Sequence, residues 1–529
     1  MAIKILVCDP LHDEGLKVLT GEKEFKVDVK PKLSPAELES VIKGYKAVIV
    51  RSATKITKGV IEASDKLRLI GRAGVGLDNV DVESATKKGI IVLNAPAGNT
   101  ISTAEHTFSM IMALSRNIAQ ANASMKRGEW EKKKFMGIEL YGKVLGVAGL
   151  GRIGTEVAKR ALSFEMKVIA YDPFLSAEQA KKIGVELVSL DEVIKRSDYI
   201  TVHTPLTDET RHMLGEAEFK KMKKGVRIIN CARGGIIDEG VLVKAIESGH
   251  VAGAAFDVFE KEPLDTASPL LKFDNVVLTP HLGASTEEAQ LNVSLDIANT
   301  VKDVLLGRGI RNAVNIPCVD PELLKNIEPY LKLAEKIGSL QTQLAEGHIK
   351  KVQIKYVGEI INYDLKPVTI ALVKGILEPI LQETVNYVNA LVIARERGIE
   401  IIESKASAIE DFANLIYVKV ETEKMKNSVM GTLFTKVDPR IVKINDYYVD
   451  AVPEGHMLFI RNKDLPGVVG EIGTILGDGK INIAGMTFGR QKKGGDALSI
   501  LNVDMPIPQN VLEKIKKAKN IFEAKTIKL

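Results

Sequence analysis

The sequence predicts an α/β protein of several domains: two doubly wound parallel-sheet lobes, then an α+β segment, then a small βαββαβ unit. Three observations predict it. From Lys4 to about His281, apolar strand-like stretches alternate with helix-like ones, the pattern of parallel sheets covered by helices. Within that alternation, the run Gly149-Leu150-Gly151-Arg152-Ile153-Gly154 falls between a strand and a helix. From Gly455 to the end, the pattern reads strand, helix, strand, strand, helix, strand.

A chain of 529 residues accommodates three or four domains, and 45% hydrophobic residues suffice for several cores. The net charge of +5 is small, and basic residues are interspersed with acidic ones, which argues against a nucleic-acid surface. Cys8, Cys231 and Cys318 are scattered without metal-ligand spacing. No metal site and no disulfide framework are expected, which fits a reducing, cytoplasmic setting. Asp9 interrupts the first apolar run, so the N-terminus reads as a strand rather than a signal peptide. No apolar stretch reaches the length of about 18 residues that a membrane span requires, so no membrane partner is expected.

In order along the chain, Lys4–Asp9 and Ala47–Arg51 read as strands with a helix at Pro35–Lys43 between them, and Leu67–Gly71 and Ile90–Asn94 as further strands. This lobe has no glycine-rich turn after its first strand. Ser102–Arg116 reads as a helix, with Ser102 and Glu105 as a capping box. The second alternation supplies strands at Val144–Ala148, Lys167–Tyr171, Tyr199–His203, Arg227–Asn230, Gly253–Val258 and Val276–Thr279. Leu282–Leu306 reads as a long helix returning to the first lobe, and Asn315-Ile316-Pro317 as a linker. Beyond it, helical periodicity at Leu323–Leu344 and Pro367–Glu396 alternates with strand-like Lys351–Val357 and Leu415–Val420.

The glycine run has the context of a dinucleotide site: strand before, helix after, a second strand, then Asp172 at its end. Gly149 permits the tight turn, Gly151 the approach of a pyrophosphate, and Gly154 close packing of helix on strand. Arg152 and Ile153 open the helix, whose free N–H groups face the phosphates. A carboxylate at Asp172 accepts from both ribose hydroxyls and repels a 2′-phosphate, so the cofactor expected is NAD.

Alcohol oxidation needs a base for the hydroxyl proton and a cation to orient the substrate. Arg233, Glu262 and His281 each follow a predicted parallel strand, where open α/β sheets bind ligands. In this reading His281 takes the proton, Glu262 holds the imidazole and raises its pKa, and Arg233 grips a carboxylate as a fork. Spacing alone leaves open that each is an ordinary surface or structural residue.

At these residues the chain resembles the D-2-hydroxyacid dehydrogenase family, in GLGRIG at 149–154, YDP at 171–173, NCARGGIIDE at 230–239, FDVFEKEP at 256–263 and PHLGAST at 280–286. The resemblance covers residues 1–315. It implies two Rossmann-like lobes: a discontinuous substrate lobe of 1–98 plus 285–315, and an NAD-binding domain of 99–284. It also implies catalysis by the matching Arg233, Glu262 and His281, and cofactor contacts from Val75, Thr204, Cys231, Ala232, Asp257, Leu282, Gly283 and Ala284 as well. VRSATKIT at 50–57, GRAGVGLDNVD at 71–81 and WEKKKFMG at 130–137 resemble most closely the branch that oxidises 3-phospho-D-glycerate, the entry step to L-serine.

A phosphorylated substrate needs additional cations. Arg51, with Ser52 beside it, is the candidate for the phosphate, and the turn Gly74-Val75-Gly76 presents N–H groups to the carboxylate. Lys134 either reaches a neighbouring subunit's site or belongs to a solvated basic run. Residues 455–529 resemble an ACT domain in Arg461–Val468 and Ile481–Ile483, which implies an amino-acid effector, here L-serine, at Asn462, Asp464 and Asn482, and a homo-oligomer. A dimerisation module without ligand is the alternative. Residues 316–453 match the intervening domain of the long form of this dehydrogenase. Two other readings stay open: a reductase of unphosphorylated 2-oxo acids, and an NAD-sensing scaffold without catalysis.

Overall fold

The computed structural model describes residues 2–318, 321–381, 385–407 and 414–529. Strands β1 (Ile3–Val7), β2 (Phe25–Val29), β3 (Ala47–Val50), β4 (Leu69–Arg72) and β5 (Ile91–Leu93) form a parallel sheet in the order β2-β1-β3-β4-β5. All four residues of β3, Ala-Val-Ile-Val, are buried, as expected of a central strand covered on both faces. Helix Glu287–Leu305 lies over this sheet: Val293, Ile297 and Val301 share a core with Ile5, Val7 and Leu69. Its start at Glu287 is set by Thr286, whose side chain accepts from Ala289 N, so residues 282–286 are loop rather than helix.

The second sheet contains β6 (Val144–Ala148), β7 (Lys167–Tyr171), β8 (Glu186–Leu187), β9 (Tyr199–Val202), β10 (Val226–Asn230), β11 (Val251–Phe256) and β12 (Val276–Leu278), all parallel, in the order β12-β11-β10-β9-β6-β7-β8. The order reverses between β6 and β9, and ligands of open α/β sheets bind outside such a switch point. Helix Thr100–Arg116 packs against this sheet. It begins earlier than expected, at Asn99, and the expected capping box is absent. Ser102 lies inside the helix, with its hydroxyl on Thr286, and Glu105 pairs with Arg160.

The next sheet is mixed. Strands β13 (Ile349–Gly358), β14 (Glu400–Ala406), β15 (Asn414–Thr422), β16 (Lys426–Phe434), β17 (Asp438–Ile444) and β18 (Tyr447–Ala451) run in the order β14-β13-β15-β16-β17-β18. Only the β13–β14 pair is parallel. Helices Pro321–Leu344 and Lys366–Leu377 cover one face. The single helix expected over 367–396 is broken. Pro379 has no N–H to continue the ladder and disfavours helix at the residue before it, so the first helix ends at Leu377 and a second, Ala390–Glu396, starts afresh. Part of that expectation, 382–384, lies outside the described residues.

Strands β19 (His456–Lys463), β20 (Ile483–Arg490), β21 (Asp496–Val503) and β22 (Ile521–Lys528), with helices Val468–Asp478 and Gln509–Lys517, form the antiparallel βαββαβ unit, in the order β20-β21-β19-β22. Among the described residues, no helix is long and apolar enough to cross a membrane.

Candidate active site

β4 ends at Arg72 and enters the turn 74–76; β10 ends at Asn230 and enters the loop to Arg233. These two loops, from different sheets, touch. Arg233 Nε donates to Asp78 Oδ2 at 3.0 Å, and a Cβ on Gly76 would collide with the Arg233 guanidinium. The loop shape is built by the buried Asn230, whose Nδ2 donates to Arg233 O at 2.8 Å and whose Oδ1 accepts from Ala232 N at 3.0 Å. Arg233 Nη1 donates to Ala232 O at 2.6 Å.

His281 lies beside Arg233. Its Nδ1 is 2.7 Å from Glu262 Oε2, and Glu262 Oε1 accepts from Phe259 N at 3.1 Å. A carboxylate facing Nδ1 keeps the proton there in the neutral ring and leaves Nε2 free to accept. The hydrogen bond to Glu262 raises the His281 pKa above its ordinary value, against the opposing effect of burial. Burial pushes the Glu262 carboxyl up, but the hydrogen bond and charge of His281, Phe259 N–H and Arg233 outweigh it and hold it low.

The His281 backbone is left-handed, φ 56°, a conformation costing roughly 1–2 kcal/mol for a residue with a Cβ. Asp257 holds it there. Asp257 O accepts from His281 N at 2.9 Å, its Oδ1 from Leu282 N at 2.7 Å and Thr279 Oγ1 at 2.6 Å, and its Oδ2 from Gly283 N at 2.8 Å. His106 Nε2 stands 3.1 Å from the same carboxylate. Burial opposes ionisation of Asp257, but these donors keep its pKa low. Asp257 is therefore the anchor of the 281–284 loop.

The residues expected to hold NAD fit a dinucleotide. Gly149 has φ 95°, and no atom lies within 4 Å of where a Cβ on Gly151 would stand. Helix Arg152–Ser163 starts without a side-chain cap, so its first N–H groups remain for phosphate. A Cβ on Gly154 would meet Gly149 O, which accounts for the third glycine. Across the switch point, Thr204 Oγ1 is buried without a partner among the described residues. Asp172, at the end of β7, accepts from Leu150 N and Phe174 N at 2.9 Å each, one on each oxygen, so each keeps a lone pair. Arg152 turns back to Pro96 O at 3.3 Å, and Cys231 is buried, with its thiol pushed up to about 12 by burial and Asp257.

Arg51 directly follows β3. Its N–H donates to Asp9 Oδ2 at 2.5 Å and its Nη1 to Pro10 O at 3.3 Å; exposed Ser52 follows. Sequence reasoning missed Arg72. This largely buried guanidinium has an Nε without a partner among the described residues. Burial, then the nearby charges of Arg233 and Arg51, push it down to about 10. Its position as the last strand residue before the glycine turn was the available signal. In that turn the N–H of Gly74 is spent on Arg72 O at 2.9 Å, contrary to expectation, and Asn94 Nδ2 donates to Val75 O at 2.8 Å. Val75 and Gly76 carry the N–H groups that remain. Lys134 pairs with Glu131 at 3.5 Å and lies over Phe135.

The three effector candidates do not meet within one chain. Asn462 is buried and bonded to Ser499 Oγ at 2.8 Å, and Asp464 pairs with Arg490 at 3.1 Å. Asn482, bonded to Asp504 at 2.8 Å, precedes the far end of β20. Ile483 pairs with Val503, whereas Asn462 pairs with Ala497, roughly 20 Å along β21.

An open α/β sheet with a dinucleotide cradle and a cation–imidazole–carboxylate set at its strand ends defines a pyridine-nucleotide oxidoreductase. The family models agree. Residues 108–283 match the D-isomer specific 2-hydroxyacid dehydrogenase NAD binding domain, 326–445 the D-3-phosphoglycerate dehydrogenase intervening domain, and 456–520 the ACT domain. The chain belongs to the D-3-phosphoglycerate dehydrogenase family. It is 47% identical to the D-3-phosphoglycerate dehydrogenase of Archaeoglobus fulgidus and 46% identical to that of Methanocaldococcus jannaschii, with 100% of each chain covered in both cases. It is also similar in structure to a D-lactate dehydrogenase from Aquifex aeolicus complexed with NAD and lactic acid: TM-score 0.52, 31% identity, 57% of this chain and 96% of that one. The TT0316 protein of Thermus thermophilus matches with TM-score 0.55 and 33% identity, over 59% of this chain and 100% of that one.

Proposed function

We propose that the chain oxidises 3-phospho-D-glycerate to 3-phosphooxypyruvate with NAD, the first step toward L-serine. The observation that carries the substrate is the convergence of Arg51, Arg72 and Arg233 around the turn 74–76. Asp78 is paired with Arg233, so the cluster keeps a surplus of positive charge, suited to a carboxylate and a phosphate on one small molecule. Arg233 binds the carboxylate and orients the reacting oxygen, with the N–H groups of Val75 and Gly76 beside it. Arg51 and Arg72 take the phosphate.

His281 Nε2 accepts the hydroxyl proton as the alcohol becomes a carbonyl, and Glu262 stabilises the imidazolium that forms. Bound NAD supplies the acceptor for the hydride from C2. Asp172 would receive its ribose hydroxyls, and Gly149, Gly151 and the helix opened by Arg152 and Ile153 its pyrophosphate; Thr204, Cys231, Ala232, Asp257 and the loop 281–284 would complete that wall.

The reading divides the chain into a substrate lobe of 1–98 plus 285–315, an NAD domain of 99–284, an intervening domain of 316–453 and an ACT domain of 455–529. It is a cytoplasmic homo-oligomer. Trp130 and Met136, each 81% exposed beside Lys134, support a partner surface there. Serine acts as a feedback inhibitor between ACT domains of two chains, which is how Asn482 of one reaches Asn462 and Asp464 of the other.

Steady-state kinetics test the substrate. Turnover of 3-phospho-D-glycerate should exceed that of D-glycerate by about 10²-fold or more in kcat/KM, the worth of a charge-assisted phosphate contact. Arg51→Gln should erase most of that difference. Equal turnover of the two acids sinks the assignment.

A further inference from the structure

The four-stranded sheet presents different residues on its two faces. Leu458 and Ile460 pack under its own helices, while the alternate residues Met457 and Phe459 join the core of the six-stranded sheet. Arg461 continues that second face. Between the two sheets lies a cavity of about 590 Å³, within the size range of small-molecule sites. Leu344, Ile444, Phe459 and Leu498 supply its apolar lining.

Its charged lining is balanced: Lys426, Arg461 and Lys525 against Asp446, Asp496 and Glu523. Most of these are already paired. Lys525 holds Glu346 and Glu523 at 3.1 Å each, Lys426 holds Glu421 at 3.3 Å, and Asp496 holds Lys463 at 3.3 Å. Two are not. The nearest carboxylate to Arg461 is Glu523 at 3.7 Å, too far for a hydrogen bond, and its guanidinium makes none among the described residues. Among the described residues, the Asp446 carboxylate has only a 3.4 Å contact from the Gln491 amide. One loosely paired cation therefore comes from the four-stranded sheet, and one loosely held anion from the β17–β18 turn.

We propose that this cavity binds a zwitterion, an α-amino acid with an apolar side chain. Its carboxylate meets the fork of Arg461, its ammonium meets Asp446, and its side chain rests on Phe459 and Leu498. The two loosely engaged groups are of opposite sign, which suits a ligand carrying both charges. The site is distinct from Asn462, whose buried side chain joins Ser499. Because its lining comes from both sheets, occupancy ties one to the other.

Calorimetric titration of the full chain tests this, with L-leucine and L-phenylalanine as probes and isovalerate and isoamylamine as single-charge controls. The expected result is saturable binding of at least one amino acid. Binding should be weaker by about tenfold or more for each control, and equally weakened in Arg461→Gln and in the surface-turn variant Asp446→Asn, with melting curves unchanged. Absence of saturable binding at millimolar concentration overturns the proposal, as does equal binding of isovalerate. Binding lost in Asn482→Ala but kept in Arg461→Gln overturns it too, because that ligand would occupy the other face.

Discussion

Nδ1 of His281 is committed to Glu262, which makes the pH dependence of oxidation a property of the pair. The base must be unprotonated to act, so kcat/KM rises as pH passes the raised His281 pKa. Glu262→Gln removes the charge that raises it. The acid limb should move to lower pH, and the rate should fall because the imidazolium loses its counter-charge. An unmoved limb in a pH–rate profile sinks the pairing argument. The same shifts act on stability. The raised His281 pKa stabilises the fold at low pH, and that contribution is lost as pH rises through it. The lowered Glu262 pKa stabilises at higher pH, and its contribution is lost as pH falls through it. His281→Ala should cost about 10²–10⁴-fold in kcat near neutral pH. Asp172→Ser removes the charge opposing a 2′-phosphate and should raise the NADP/NAD ratio of kcat/KM by about tenfold; an unchanged ratio would show that Asp172 serves only the Leu150 turn.

Elements position these side chains through buried polar anchors that carry no periodic signal. Loop 281–284 depends on Asp257, and Asp257→Ala would strand the N–H groups of Leu282 and Gly283. A loss of about 3 kcal/mol is expected, read by thermal or denaturant melting. The strands and helices of the first two lobes were legible because each carries its own apolar period or glycine. The capping box at Ser102 misled because Asn99, three residues earlier, starts the helix without a side-chain bond. Four strands of the mixed sheet, β14, β16, β17 and β18, went unread. β14, an edge strand reading Glu-Ile-Ile-Glu-Ser-Lys-Ala, buries almost nothing. At the opposite edge of the sheet, β17 and β18 are joined at Asn445, which takes the left-handed conformation, φ 50°, of a tight hairpin turn.

At the scale of the molecule, the intervening segment touches the first lobe lightly and the last unit heavily. Asn386 Nδ2 donates to Gly89 O at 2.8 Å and Lys87 pairs with Glu396 at 3.4 Å, both at one helix end. By contrast, Met457, Phe459, Leu498, Ile500 and Ile527 share a core with Ile354, Leu372 and Ile441. A chain ending at residue 317 should stay folded and retain NAD-dependent oxidation. A chain ending at residue 453 keeps more sequence yet bares that shared core, and should aggregate. Expression of both, followed by gel filtration and assay, checks the order; a well-behaved longer fragment beside an insoluble shorter one would reverse it.

The sequence by itself determined the α/β class, the cofactor cradle and the chemical type of each strand-end residue, because local spacing and glycine placement dictate these without reference to distant parts. Only the tertiary structure decided that Arg72 joins Arg51 and Arg233, that Asp257 supports the His281 loop, and that Asn482 lies far from Asn462 in one chain. Each depends on which strand ends the sheet order brings together. Sheet order is decided by packing across the whole chain, and so is not written in any one segment of it.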